Sequence, residues 1–85
     1  MKQAFVLVLL FVLNIGKLLA QDQLLLLAKE YFEKKDFVKS ADLYATLFQN
    51  SPNDLKIYEG YTTSLIEIKN YKLAEKIIKQ KIKSS

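Results

Sequence analysis

From residue 21 onward, apolar side chains return at intervals of three and four, the spacing that lays them along one face of a helix. Leu24, Leu27, Ala28, Tyr31 and Phe32 form the first such stripe. Lys34-Lys35-Asp36 interrupts it, and Asp36 is placed to cap a second helix whose inward residues are Val38, Ala41, Tyr44, Ala45 and Phe48. Asn50-Ser51-Pro52-Asn53 ends that helix, because proline has no amide hydrogen to donate and biases its predecessor away from helical geometry. Asp54 is placed to cap a third helix, with Tyr58, Tyr61, Thr62 and Leu65 facing the core. Asn70 is placed to cap a fourth, carried by Leu73, Ala74, Ile77, Ile78 and Ile82. The pattern predicts an all-α chain in which a hairpin of two short helices occurs twice.

Residues 1–20 follow a different rule. Met1-Lys2 supplies a positive start, and Ala4 to Leu13 is apolar without interruption. Asn14, Gly16 and Lys17 break the run, and Leu18-Leu19-Ala20 leads into the polar Gln21-Asp22. A short apolar core between a charged start and a small residue reads as a secretory signal peptide, with cleavage expected after Ala20 and an exported product, periplasmic or secreted. The apolar run is shorter than the roughly 20 residues a membrane-spanning helix needs. An uncleaved membrane anchor is the alternative reading.

The two hairpins align at a fixed offset. Lys35-Asp36-Phe37 recurs 34 residues later as Lys69-Asn70-Tyr71, Leu24 as Tyr58, Leu27 as Tyr61 and Tyr44 as Ile78. On these residues the chain resembles the tetratricopeptide repeat family, whose unit is a 34-residue helix-turn-helix. Residues 21–54 resemble one repeat, with Leu24 and Leu27 at its large positions, Ala28 at its small position and Tyr31 at the following aromatic. Phe37 stands at the turn aromatic, Ser40 on the family's usual alanine, Tyr44 at the second-helix aromatic and Pro52 at the near-terminal proline. Residues 55–85 resemble a second repeat through Tyr58, Tyr61, Thr62, Leu65, Tyr71, Ala74 and Ile78. Gly60 and Lys81 depart from that pattern: a mid-helix glycine costs about 1 kcal/mol relative to alanine, and Lys81 stands where a small packing residue is usual. The resemblance implies an α-α superhelix of about two repeats, preceded by the signal-peptide helix.

Composition narrows the chemistry. The 85 residues include no cysteine, histidine or tryptophan, which removes disulfides, thiolate metal sites and the commonest general base. Helix surfaces routinely carry acidic pairs such as Glu30 and Glu33, and Ser64, Ser84 and Ser85 have no histidine to activate them. No enzymatic activity, metal or cofactor is therefore expected. Beyond the leader stand eleven lysines against nine acids, with no arginine anywhere. Bidentate recognition of phosphates and bases leans on arginine, so nucleic acid is not an expected partner.

What remains is binding. The resemblance implies a non-enzymatic scaffold in which the first helices of successive repeats line a concave face that holds a protein or peptide. By position that face comprises Leu25, Lys29, Phe32 and Glu33 from the first repeat and Glu59, Thr63, Ile66 and Glu67 from the second. Leu25 and Lys29 replace the lysine and asparagine of the carboxylate-gripping variant, so that specialisation is not expected. Such arrays usually contain at least three repeats. Ile77, Ile78 and Ile82 are accordingly expected to form a packing face for a further repeat, a partner or a second copy, and the second repeat reads as truncated. Two alternatives stay open. One is a membrane-associated structural element held by an uncleaved leader and the lysine-rich last helix; the other is a fragment of a longer array without function of its own.

Overall fold

The computed structural model describes residues 20–84. They form an all-helical fold of four packed helices, with no strand among the described residues. Residues 20–33 are helical (α1), followed by α2 (Phe37–Asn50), α3 (Leu55–Glu67) and α4 (Tyr71–Ser84). Residues 1–19, and with them most of the expected signal peptide, lie outside the described region.

Local chemistry sets the boundaries. The Asp36 carboxylate accepts the Lys39 amide at 3.4 Å at the start of α2. Asp54 accepts the amides of Lys56 and Ile57 at 3.0 and 3.2 Å at the start of α3. Each carboxylate satisfies amides that have no partner inside the helix. Asn70 enters α4 through its carbonyl, which accepts the Ala74 amide at 3.2 Å. Between α2 and α3, Ser51 donates back to the Leu47 carbonyl at 2.9 Å, and Pro52-Asn53 forms the turn.

The turns inside the two hairpins are copies of each other. Lys35 donates to the Phe32 carbonyl at 3.0 Å and Asp36 to that of Tyr31 at 2.9 Å. Thirty-four residues on, Lys69 donates to Ile66 at 3.0 Å and Asn70 to Leu65 at 2.8 Å. Both are the paired bonds of a Schellman helix end, which requires one residue in the left-handed region. Lys35 (φ 63°) and Lys69 (φ 65°) occupy it without the freedom of glycine. The sequence repeat is thus matched bond for bond in the backbone.

The core consists of Ala28 from α1, Ala41, Tyr44 and Leu47 from α2, Ile57, Tyr61 and Leu65 from α3, and Ala74 and Ile77 from α4. Helix α2 is packed on both flanks. Its Tyr44 ring stands edge-on to Phe32 of α1, with centroids 6.4 Å apart, while Phe48 meets Tyr61 of α3 at 5.5 Å. That two-sided packing moves the buried seam of α2 onto Ser40, Tyr44 and Leu47, and leaves Val38, expected inside, 68% exposed. Leu27, also expected inside, is 39% exposed, because α1 turns Ala28 and Phe32 toward α2 and leaves Leu27 on its flank.

Two polar contacts complete the seam. Ser40 and Ser64 are fully buried and their hydroxyl oxygens lie 2.8 Å apart, joining α2 to α3. Ser40 is also 3.3 Å from the Phe37 carbonyl, so Ser64 can donate to Ser40 while Ser40 donates to the backbone. Thr62, the counterpart of Ala28, donates to the Tyr58 carbonyl at 2.8 Å. No buried side-chain polar atom among the described residues lacks a partner.

Gly60 has a packing reason. A Cβ built on it would lie 2.6 and 2.8 Å from Cε1 and Cε2 of Tyr44, and closer still to Cζ. The glycine lets α3 approach α2 across the Tyr44 ring, a close approach that any side chain would obstruct.

Candidate interaction surface

The eight residues expected to bind fall into two equivalent quartets, one per hairpin. Leu25, Lys29, Phe32 and Glu33 lie along α1; Glu59, Thr63, Ile66 and Glu67 lie along α3 at the same spacings. At 3.6 residues per turn each quartet occupies one face of its helix. Lys29, Glu33, Glu59, Thr63 and Glu67 are exposed, and Ile66 is 44% exposed. Leu25 and Phe32 are half-buried and pack against the core. Phe32 directs its ring edge-on to Phe37 at 5.3 Å as well as to Tyr44, so it is a packing residue with one flank in solvent. No hydrogen bond or ion pair joins one quartet to the other among the described residues. The surface therefore offers three carboxylates and one ammonium around the half-covered Phe32 and Ile66.

The structure corrects the expectation for the isoleucines of α4. Ile77 is only 5% exposed and belongs to the central cluster, so it is not available as a face for a further element. It aligns with Leu43, which is half-buried, and packs on the fold's own core. Ile78 is half-buried and Ile82 is 68% exposed.

Lys81 falls where the first hairpin has Leu47, which is 3% exposed. The lysine is half-buried, with its ammonium 5.7 Å from the centre of the Tyr58 ring, a cation–π arrangement. Lys39 lies over Tyr31 at 5.2 Å in the same manner. Among the described residues three ion pairs lie on the surface: Lys34–Glu30 at 2.9 Å, Lys79–Glu75 at 2.9 Å and Lys39–Asp36 at 3.8 Å. The hydrogen bond from Lys34 to Glu30, reinforced by the carboxylate's charge, raises the Lys34 pKa above its ordinary value. Burial raises the phenol pKa of Tyr44 and of Tyr61.

Sequence reasoning missed the Ser40–Ser64 bond. The signal was present in part: Ser40 aligns with the buried Ala74, so a small, buried residue was legible there, whereas the partner across α3 depends on how the helices cross. Among the described residues no cluster of acidic side chains could hold a metal ion, and no helix is long and apolar enough to cross a membrane. No known family model matches the chain, and neither does any curated protein or solved structure.

Proposed function

We propose that the protein is an exported, non-enzymatic scaffold of the tetratricopeptide type, which holds a peptide segment on a concave face built from the first helix of each hairpin, α1 and α3. The observation that carries this reading is the doubled helix-turn-helix: two Schellman turns 34 residues apart, closed by the same backbone bonds. The two quartets stand in equivalent registers, so that one extended ligand meets an apolar side chain followed by a carboxylate twice, Phe32-Glu33 and Ile66-Glu67. The leader, with cleavage after Ala20, would deliver the chain beyond the membrane and leave Gln21 at the start of α1.

The face favours one class of ligand. Glu33, Glu59 and Glu67 outnumber Lys29, and Phe32 and Ile66 offer partial apolar cover. Peptides combining lysine or arginine with an apolar anchor complement it.

Selection from a displayed peptide library tests the proposal. Enriched peptides should carry basic and apolar residues, and should lose binding to Glu59→Lys/Glu67→Lys and to Ile66→Asp. They should keep it for Asp42→Lys, an exposed change on α2. Peptides equally sensitive to Asp42→Lys, or a selection that enriches none, would defeat the reading.

A further inference from the structure

Six lysines fall between Lys69 and Lys83, and the structure sorts them. Lys81 turns back over Tyr58, whereas Lys72, Lys76, Lys79 and Lys83 are all exposed and share one face of α4. Their spacings of four, three and four keep them within roughly 60° of arc, in a row about 16 Å long at 1.5 Å per residue. Lys79 alone is ion-paired, with Glu75; the other three have no acidic partner among the described residues.

The helix gains little from this row. A cation is favoured near a helix C-terminus, which accounts for Lys83. Lys72 stands in the first turn of α4, where the dipole disfavours a positive charge and which holds no acidic residue. Lys72–Lys76 and Lys79–Lys83 are like-charge pairs one turn apart, which weaken a helix. Lys72 and Lys76, which neither the dipole nor an ion pair accounts for, point to an external anion.

We propose that the lysine row of α4 docks on an anionic lipid bilayer surface. Beside it lies a second strip on the same helix, comprising Tyr71, 58% exposed, the half-buried Ile78, and Ile82. Tyrosine and aliphatic side chains at the flank of a cationic row suit the boundary between headgroups and acyl chains. The apolar strip also decides between occupants, since it gives the cationic row a flank that can enter the acyl boundary, and lysine, a flexible point charge, suits a fluid array of headgroups. This surface is separate from the α1 and α3 quartets, so it would hold the scaffold at a membrane while leaving the peptide face free.

Co-sedimentation of the full chain with large vesicles tests this, using phosphatidylcholine alone or with 30% phosphatidylglycerol at low and high salt. The neutral vesicles record what the apolar leader contributes. Each lysine at the surface is expected to add about fivefold to partitioning, so Lys72→Gln/Lys76→Gln should weaken binding to anionic vesicles about 25-fold. Binding to neutral vesicles should not change, and added salt should abolish the difference. Lys35→Gln/Lys56→Gln removes the same charge elsewhere, and circular dichroism confirms that both variants remain folded. Equal partition of the native chain into both vesicles would overturn the proposal. So would equal weakening by the two double variants, or tight binding of an acidic helical peptide to the row with vesicle binding insensitive to it.

Discussion

Gly60→Ala sets two well-understood effects against each other, and the Tyr44 ring decides between them. Alanine in place of a mid-helix glycine stabilises a helix by about 1 kcal/mol. Against that, the added methyl would lie 2.6 and 2.8 Å from Cε1 and Cε2 of Tyr44. Ordinary carbon contacts lie at about 3.5–4.0 Å, so something must move by close to an ångström. The ring has little room. It is 4% exposed and in a T-shaped contact with Phe32, centroids 6.4 Å apart. Overpacking of this kind costs about 1–3 kcal/mol, which after the helix gain leaves a net loss of about 0–2 kcal/mol. For a domain of this size that corresponds to a fall in Tm of up to roughly 15 °C. Thermal melts followed by circular dichroism, repeated in urea, measure it. The informative comparison is the same substitution in a Tyr44→Leu background, where the ring is gone and alanine should raise Tm instead. If Gly60→Ala raises Tm with Tyr44 in place, the ring is not held against α3 and the packing argument for the glycine fails.

Three further expectations follow from named contacts. Lys35 and Lys69 adopt left-handed geometry at the two Schellman turns, so Lys35→Gly and Lys69→Gly should each stabilise by about 0.5–1 kcal/mol, read as a higher urea midpoint. Destabilisation by either would contradict the turn assignment. Ser64→Ala removes one partner of a buried pair and should cost about 1 kcal/mol, whereas Ser40→Ala/Ser64→Ala removes both hydroxyls and should cost less than the sum of the single changes. A double-mutant cycle with strictly additive losses would show that the hydroxyls do not interact. Alkaline pH should also weaken the fold. Tyr44 and Tyr61 have raised pKa values in the folded chain, so the unfolded chain loses their protons first, near pH 10, and stability falls as pH rises beyond that. Lys34 acts in the same direction but is exposed, so its share is small. Urea midpoints at pH 8 and above pH 10 measure the fall, and Tyr61→Phe should flatten it; an unchanged slope in that variant would remove Tyr61 as a cause.

The helices were legible from residue types alone. Spacing of three and four marked the stripes, Asp36 and Asp54 marked two starts, and Pro52 marked a stop, because each acts on backbone groups within a few residues. The 34-residue repeat was equally legible and reappears in the paired turns at Lys35 and Lys69. The candidate binding face was readable only as two sets of positions; their exposure, and the partial burial of Leu25 and Phe32, came from the packing. Which side of each helix is buried depended on its neighbours. Val38 continues the apolar period of α2 yet lies in solvent, whereas the polar Ser40 of α2 and Ser64 of α3 are fully buried. Ile77 appeared from its stripe to await a further element but is covered by the fold itself, and Gly60 reads as a weak point until the Tyr44 ring is seen across it. Lys81 and Lys83 belong to one charge run in the sequence, yet one turns over Tyr58 and the other faces outward. Sequence by itself determined what the backbone does locally, since caps, turns and periodicity act between near neighbours along the chain. Tertiary structure alone decided which faces meet, because burial depends on residues brought together from distant parts of the chain.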